Sequence, residues 1–394
     1  MVVTLPPGLV FGERYCREFI MLILDLRVEA SSVPTGSGWF RIAALWLPLW
    51  LLGGCSVAPD NEYGFKFPIT DGQSVWPALP AQPRFQYVGD LIGEDGYELK
   101  QSRGFQLIAE IIAGVGLELD SKVGLVRPQS GMVDEQGRIY VTDVGIGAIF
   151  VFDPISSLFR VWNDYGSGKS FTQPIGIAAG REGHILVVDA EERAVIELDS
   201  NGALVASFGQ DVLQRPTGIA RDPLRGRIFV ADTHGDDIKV FSEAGELLDI
   251  WGVSGDLPGQ FNSPVHLWYA ADQLYVTDTL NARIQVLNDQ GEALQSVGKR
   301  GLFVGNFVRP KGVTLDGDGN LYVTESYYDH LLIYDKDGRF LLPIGGAGQT
   351  AGKFFLPAGV WSDRKNRIYV ADMMNGRVSI FQYLPHTPAI PVPV

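Results

Sequence analysis

The sequence is poor in cysteine and in basic residues. Only 2 of its 394 residues are cysteine, which excludes a disulfide-stapled fold and a zinc cluster of thiolates. Its 32 lysine and arginine residues are outnumbered by 46 aspartate and glutamate residues, so the formal net charge is −14. Nucleic acids bind clustered cationic side chains. We therefore expect no nucleic-acid partner.

The sequence also lacks an apolar run long enough to span a bilayer as a helix. Residues 42–52 read IAALWLPLWLL, which has the length of a signal-peptide core. A Leu-Gly-Gly-Cys sequence ending at Cys55 follows directly, and this arrangement resembles the lipobox of bacterial lipoproteins. The resemblance implies that Cys55 is acylated and becomes the first residue of the mature chain. It further implies a lipid-anchored protein of the bacterial cell envelope, in the outer membrane and facing the periplasm.

These features divide the N-terminal part of the chain. Residues 1–54 are predicted to be a signal peptide, although residues 1–40 are long and contain acidic residues. The natural start is therefore expected further along, for example near Val33. Residues 55–83 are rich in proline and glycine and are predicted to form an extended tether.

Two motifs recur six times at one period. A segment of the type Tyr-Val-Thr-Asp ends at an acidic residue, and these acids lie 43 to 47 residues apart. The acids are Asp143, Asp189, Asp232, Asp278, Glu325 and Asp372. A proline precedes each acid, at Pro128, Pro174, Pro216, Pro264, Pro310 and Pro357. Short alternating strands and Gly/Asn/Asp turns complete each unit, which is typical of a four-stranded propeller blade. The sequence predicts an all-β, six-bladed β-propeller of antiparallel blades over residues 84–384, followed by a Pro-rich tail at residues 385–394.

The units resemble NHL repeats. The shared features are Pro-x-Gly, Tyr-Val-Thr-Asp, Asn-x-Arg-Ile-x-Val and a Gly-x-Phe before the next proline, and residues 329–331 read Asp-His-Leu. The resemblance covers residues 126–384 and implies ligand sites on the face that carries the loops after the acids. The first repeat departs at residues 145–148, and the fourth has His266 at the glycine position of Pro-x-Gly.

The count of strands predicts how the ring closes. The sixth repeat, residues 357–383, supplies only three strands before the tail, and an open sheet would leave an unpaired edge. Residues 83–90 alternate like a fourth strand, so we expect this N-terminal segment to pair into the sixth blade. Residues 105–115 are predicted to form a short helix between that strand and the first blade.

The recurrent acids are expected to be structural, because a turn residue is needed in every blade and a catalytic residue is needed once. Each is predicted to bind its own loop or to pair with Arg193, Arg283 or Arg377. Residues that depart from the repeat are better candidates for binding. The candidates are His234, His266, Trp268, Tyr327, Tyr328 and His330.

The sequence favours a non-catalytic, membrane-anchored scaffold that binds a protein or peptide of the envelope, since rigid rings with variable loops suit docking. It predicts no catalytic residue, metal or cofactor. The alternative is a metal-dependent lyase or hydrolase, in which His266 with His234 or His330 would hold Zn²⁺ or Ca²⁺. Amidating-lyase propellers, which this fold resembles, use such histidine-bound metal near the channel.

Overall fold

The computed structural model describes residues 74–94, 123–156, 158–166 and 168–384. The predicted signal peptide, Cys55, the predicted helix at residues 105–115 and the Pro-rich tail lie outside the described residues. In the described part of the chain, no helix is both long and apolar enough to cross a membrane.

The strands follow one another in six repeating groups. β1 (Val75–Trp76) and β2 (Phe85–Leu91) come first. Blade 1 contains β3 (Pro128–Val133), β4 (Ile139–Asp143), β5 (Ala148–Asp153) and β6 (Leu158–Trp162), and a hairpin of β7 (Asp164–Gly166) and β8 (Lys169–Ser170) follows it. Blade 2 contains β9 (Pro174–Ala179), β10 (Ile185–Asp189), β11 (Ala194–Leu198) and β12 (Leu204–Phe208). Blade 3 contains β13 (Pro216–Asp222), β14 (Arg227–Asp232), β15 (Asp237–Ser242) and β16 (Leu247–Trp251).

The remaining three blades repeat this order. Blade 4 contains β17 (Pro264–Ala270), β18 (Gln273–Asp278), β19 (Arg283–Leu287) and β20 (Ala293–Val297). Blade 5 contains β21 (Pro310–Leu315), β22 (Leu321–Glu325), β23 (His330–Tyr334) and β24 (Phe340–Gly345). Blade 6 contains β25 (Pro357–Ser362), β26 (Arg367–Asp372) and β27 (Arg377–Tyr383). Short 3-10 helices lie at Arg181–Gly183, Thr279–Asn281 and Met373–Asn375. The architecture is a six-bladed β-propeller, as predicted.

Each blade is an antiparallel meander whose proline strand is innermost. The proline pairs in register with the recurrent acid, as Pro128 does with Asp143, and an irregularity follows it in the ladder. Because proline has no N–H to donate, it suits the first position of a strand that lies at a sheet edge. The second strands are mostly buried, and β4, β10 and β22 are buried along their whole length, because other blades cover both of their faces.

The sixth sheet contains two strands from the start of the described chain. β2 pairs antiparallel with β27, and β1 pairs with β2 as a fifth strand. Asp90 on β2 accepts hydrogen bonds from Arg377 Nη1 at 2.9 Å and Ser379 Oγ at 2.7 Å. Trp76 packs edge-on against Phe381 with ring centroids 5.6 Å apart. Residues 55–83 were predicted to form an extended tether; residues 55–73 of this range lie outside the described residues, and Val75–Trp76 is part of the sheet.

The two ends of the ring differ in their connections. At one end, here called the loop face, lie the loops that follow the recurrent acids and the loops that join consecutive blades. At the other end, here called the turn face, tight turns join first to second and third to fourth strands. Apolar clusters fill the spaces between blades; one of them joins Phe150 and Phe152 of blade 1 to Trp361 and Tyr369 of blade 6. This packing holds both sets of connections in place.

Candidate binding site

A cavity of about 840 Å³ occupies the central channel. Its walls are the innermost strands of blades 1, 2, 3, 4 and 6, and its rim includes the turns at residues 134–137, 180–184 and 363–365. These turns lie on the turn face. The resemblance had implied ligand sites at the opposite end, on the loop face. A cavity of this size matches the range in which proteins enclose small ligands.

Aromatic side chains form part of the cavity wall. Trp268 and Tyr269 come from β17, and Trp361 comes from β25. The Trp361 ring stacks on Tyr369 with centroids 5.6 Å apart and an angle of 5° between planes. A β-carbon at Gly131 would lie 2.3 Å from Trp361 Cζ2, so glycine at this position lets the tryptophan approach blade 1. The buried Trp361 Nε1 has no hydrogen-bond partner among the described residues.

His266 links two blades inside the channel. Its Nδ1 accepts a hydrogen bond of 3.3 Å from the backbone N–H of Val313 on blade 5. Burial in the channel wall lowers the pKa of His266 to about 4, because desolvation disfavours the charged imidazolium. At neutral pH the ring is therefore uncharged, and its proton is assigned to Nε2 from the hydrogen bond at Nδ1.

Charges of both signs surround the cavity rim. His184 Nδ1 lies 2.7 Å from Oε1 of the buried Glu197. Arg221 pairs with Glu243 at 2.6 Å and also donates a hydrogen bond to the carbonyl of Gly180 at 3.3 Å. These groups give the rim donors and acceptors for a polar ligand, above an apolar and aromatic wall.

A second feature of the wall is that it consists of edge strands. Each innermost strand stands at the end of its sheet and has a neighbouring strand on one side only. Strand edges of this kind carry N–H and C=O groups that another extended chain can bind. The channel therefore combines backbone hydrogen-bonding groups, aromatic side chains and a charged rim.

The recurrent acids on the loop face are already engaged. All six are fully buried. Asp189 accepts hydrogen bonds from the backbone N–H groups of Thr172 and Gln173, which lie just before the first strand of its own blade. Glu325 accepts equivalent bonds from Val308 and Arg309. These contacts hold each interblade loop in place, which agrees with the structural role predicted for the acids.

Comparisons with known proteins agree with this fold. The family described as a 6-bladed β-propeller, DUF5128, matches residues 315–384. Human NHL-repeat-containing protein 4 is 32% identical over 81 residues, which are 21% of this chain and 64% of that protein. The chain is a six-bladed β-propeller with NHL-like repeats.

Solved structures show the same architecture at low identity. A streptogramin B lyase aligns with a TM-score of 0.50 and 15% identity, over 67% of this chain and 96% of its own. A gluconolactonase from Xanthomonas campestris aligns at 0.51 and 14%, over 66% and 87%. A protein of unknown function from Bacteroides thetaiotaomicron aligns at 0.53 and 14%, over 66% and 70%. At these identities the likeness concerns the fold alone.

The predicted binding residues of this NHL-like propeller fall into two groups. His266 and Trp268 line the cavity. The other four lie on the loop face, where Tyr327 and Tyr328 meet edge-on with centroids 4.9 Å apart. His234 is exposed in the loop after Asp232, whereas His330 is half-buried at the start of β23 and burial lowers its pKa.

A protein metal site needs several donor side chains that face one ion. Within the described parts of the chain, no three histidine, cysteine, aspartate or glutamate side chains come together in a group able to hold a metal ion. The ion pairs predicted for two of the arginines are present, with Asp278–Arg283 and Asp372–Arg377 each at 2.8 Å. Arg193 is exposed and makes no ion pair among the described residues.

Sequence reasoning missed three features of the cavity. Ser130 of blade 1 stands at the glycine position of Pro-x-Gly, as His266 does in blade 4, and it too lines the channel. Trp361 and Arg221 line it from later positions of their innermost strands. A comparison of the six units at every position after the proline, and not only at the glycine, would have singled out all three.

Proposed function

We propose that this protein is a non-catalytic scaffold that is anchored to a membrane of the bacterial cell envelope and binds a protein or peptide through its channel. The observation that carries the proposal is the cavity of about 840 Å³ lined by five innermost strands, each of which lies at the end of its sheet. An extended peptide segment is the ligand class that uses such edges, because its own backbone supplies the matching donors and acceptors.

The side chains of the cavity support a peptide ligand. Trp268 and Tyr269 offer aromatic surface for an inserted side chain, and aromatic contacts dominate the energetics of protein interfaces. The rim around His184 and Arg221 carries both signs of charge, which suits a segment with polar groups at its ends. His266, neutral at pH 7, contributes a hydrogen-bonding ring to the same wall.

A substitution that fills the channel tests this function. Ala179 on β9 lies exposed at the cavity, and Ala179→Trp would occupy part of the space. We expect the purified full-length protein to select sequences from a displayed random peptide library, and Ala179→Trp to weaken binding of the selected peptides at least tenfold. The matched control is Ala206→Trp, at an exposed alanine of the outer strand β12, which should bind as the parent does.

Equal binding by the two tryptophan variants would place the peptide outside the channel and contradict the proposal. The alternative function, a metal-dependent lyase or hydrolase, has a separate test. If the purified protein holds stoichiometric zinc or calcium, and His266→Ala removes it, the lyase or hydrolase interpretation replaces the scaffold. Metal analysis of the two proteins decides this.

The membrane anchor rests on a separate feature, the Leu-Gly-Gly-Cys sequence at Cys55. Acyl chains on that cysteine would hold the propeller at a bilayer, and the outer membrane facing the periplasm is the proposed site. Growth of a bacterial host with labelled fatty acid should label the parent protein and leave Cys55→Ser unlabelled. Label retained by Cys55→Ser would overturn the anchor without affecting the channel proposal.

A further inference from the structure

Three interblade loops on the loop face share one backbone framework. They are residues 252–263, 298–309 and 345–356. Each is anchored by a fully buried phenylalanine, at Phe261, Phe307 and Phe354. In the middle loop Phe307 N–H donates to the Lys299 carbonyl at 2.9 Å, and its carbonyl accepts from Gly301 N–H at 3.1 Å. The other two loops repeat this pair of bonds around Phe261 and Phe354.

The shared framework allows the loops to be aligned residue by residue. Counted back from the phenylalanine, Leu302 and Phe303 correspond to Gln349 and Thr350 of the last loop. The backbone bond at this point is also the same, since Asn306 N–H donates to the Phe303 carbonyl at 2.9 Å and Lys353 N–H donates to the Thr350 carbonyl at 3.0 Å. The loop therefore folds with polar side chains at these two positions, and apolar ones are not needed for its structure.

The middle loop nevertheless exposes a large apolar tip. Leu302 is 76% exposed, Phe303 is 82% exposed and Val304 is 55% exposed. These three residues are here called the apolar tip. Adjacent side chains that are this apolar and this exposed are a liability in water, and in native proteins they mark an interaction surface.

Three exposed cations belong to the same loop as the apolar tip. Lys299, Arg300 and Arg309 are exposed and make no ion pair with any described carboxylate. Residues 298–312 contain no aspartate or glutamate. The three corresponding positions are uncharged in both other loops, where they are Val253, Ser254, Ser263, Gly346, Ala347 and Leu356. Among these three loops, only the one that carries the apolar tip is charged at these positions, in a protein whose net charge is −14.

We propose that residues 298–309 dock the propeller on a lipid bilayer that carries anionic headgroups. The apolar tip enters the interface between headgroups and acyl chains, and Lys299, Arg300 and Arg309 contact the anionic headgroups around it. This combination of a short apolar insertion and a cationic collar is what binds an anionic membrane surface. An exposed tip of this kind suits a deformable lipid surface. The inference stands apart from the peptide channel, which opens on the opposite face.

A site-specific fluorescence experiment tests the docking. The full chain with Cys16→Ser and Cys55→Ser receives one new cysteine, Phe303→Cys, which is labelled with the environment-sensitive dye NBD. Leu224→Cys is the matched control, because Leu224 is also 82% exposed but lies on the turn face. With vesicles of 70% phosphatidylcholine and 30% phosphatidylglycerol, the label at residue 303 should shift to the blue and be quenched by doxyl-lipid, whereas the label at 224 should not change.

Two variants separate the apolar and cationic contributions. Leu302→Gln with Phe303→Thr imports the side chains of the last loop, so it should fold normally and, with an NBD label at Val304→Cys, bind these vesicles at least tenfold more weakly than the same label in the parent loop. Replacement of Lys299, Arg300 and Arg309 by Gln in the Phe303→Cys protein should weaken binding roughly 100-fold. Sodium chloride at about 0.5 M should have a similar effect, because it screens the cations.

Three results would overturn the docking. The first is the absence of any change at residue 303, which would leave a protein as the partner of the apolar tip. The second is an equal change at residues 303 and 224, which would mean non-specific adsorption. The third is an equal response to pure phosphatidylcholine vesicles, which would remove the role of the cations.

Discussion

Aspartates lie at the ends of strands on both the loop face and the turn face. They differ in how far along the chain their hydrogen-bond donors lie. On the loop face, Asp189 accepts hydrogen bonds from Thr172 and Gln173, 17 and 16 residues earlier in the chain. On the turn face of the same blade, Asp199 accepts bonds from Asn201 and Ala203, only 2 and 4 residues later. The first carboxylate joins distant segments, whereas the second closes a single turn.

Burial follows the same division. Asp189 is fully buried, whereas Asp199 remains partly exposed. The partly buried backbone N–H groups that Asp189 binds would lose a charged acceptor in its absence, and a hydrogen bond to a charged group contributes about 1.5–3 kcal/mol. Water can replace the Asp199 carboxylate. Aspartate thus joins distant segments of the ring on the loop face and stabilises a single turn on the turn face.

The largest expected difference between the two faces comes from replacing each of these aspartates by alanine. Asp189→Ala should lower the free energy of unfolding by about 4 kcal/mol, because several backbone donors lose a charged acceptor. Asp199→Ala should lower it by about 1 kcal/mol, since only a local turn is affected. Urea unfolding followed by circular dichroism measures both. Equal losses in the two variants would show that the sequence separation between the aspartate and its hydrogen-bond donors has no effect on stability.

The repeat made much of this fold predictable. The six acids and six prolines mark the ends of second strands and the beginnings of first strands, because each pair lies opposite in the ladder, as Pro216 lies opposite Asp232. The alternating pattern of residues 83–90 also predicted a strand in blade 6. In the structure, Phe85–Leu91 pairs with β27 of that blade. Local sequence patterns of this kind predict the structure because every blade repeats the same contacts.

The cavity was less predictable from the sequence. It is formed by side chains from five different blades, and its volume depends on where Trp361 and His266 lie in three dimensions. Neither the period nor the composition specifies which end of the channel those side chains leave open. The strand at Val75–Trp76 was missed for another reason: its neighbours are rich in proline, but Trp76 packs on Phe381 and so joins the sheet.

The channel between the two faces should respond to pH through His266. Its pKa is about 4 in the folded protein and 6.5 in an unfolded chain, so the unfolded state takes up a proton first as the pH falls. The contribution of this neutral histidine to stability is complete above pH 6.5 and decreases as the pH falls toward 4. Between pH 7 and pH 5 we expect a loss of about 2 kcal/mol.

His266→Gln isolates this contribution, because glutamine keeps an acceptor for Val313 N–H and does not titrate. The measurement is the free energy of unfolding of both proteins at pH 7 and pH 5. The variant should lose about 2 kcal/mol less than the parent over this range, and carboxylates and other histidines cancel in the difference. Parallel pH dependence in the two proteins would show that the histidine is open to solvent and that the channel wall does not desolvate it.

The smallest effect on stability is expected at the most exposed apolar residues of the loop face. In the absence of lipid, Leu302→Gln with Phe303→Thr should change the free energy of unfolding by less than about 0.5 kcal/mol, as is usual for exposed positions. The buried Phe307 holds the loop, and its ring packs edge-on against Tyr334 with centroids 5.6 Å apart. Phe307→Ala is therefore the informative contrast, with an expected loss of about 3–5 kcal/mol. If the exposed pair proved as costly to replace as Phe307, the apolar tip would be part of the core and not a surface available to a membrane.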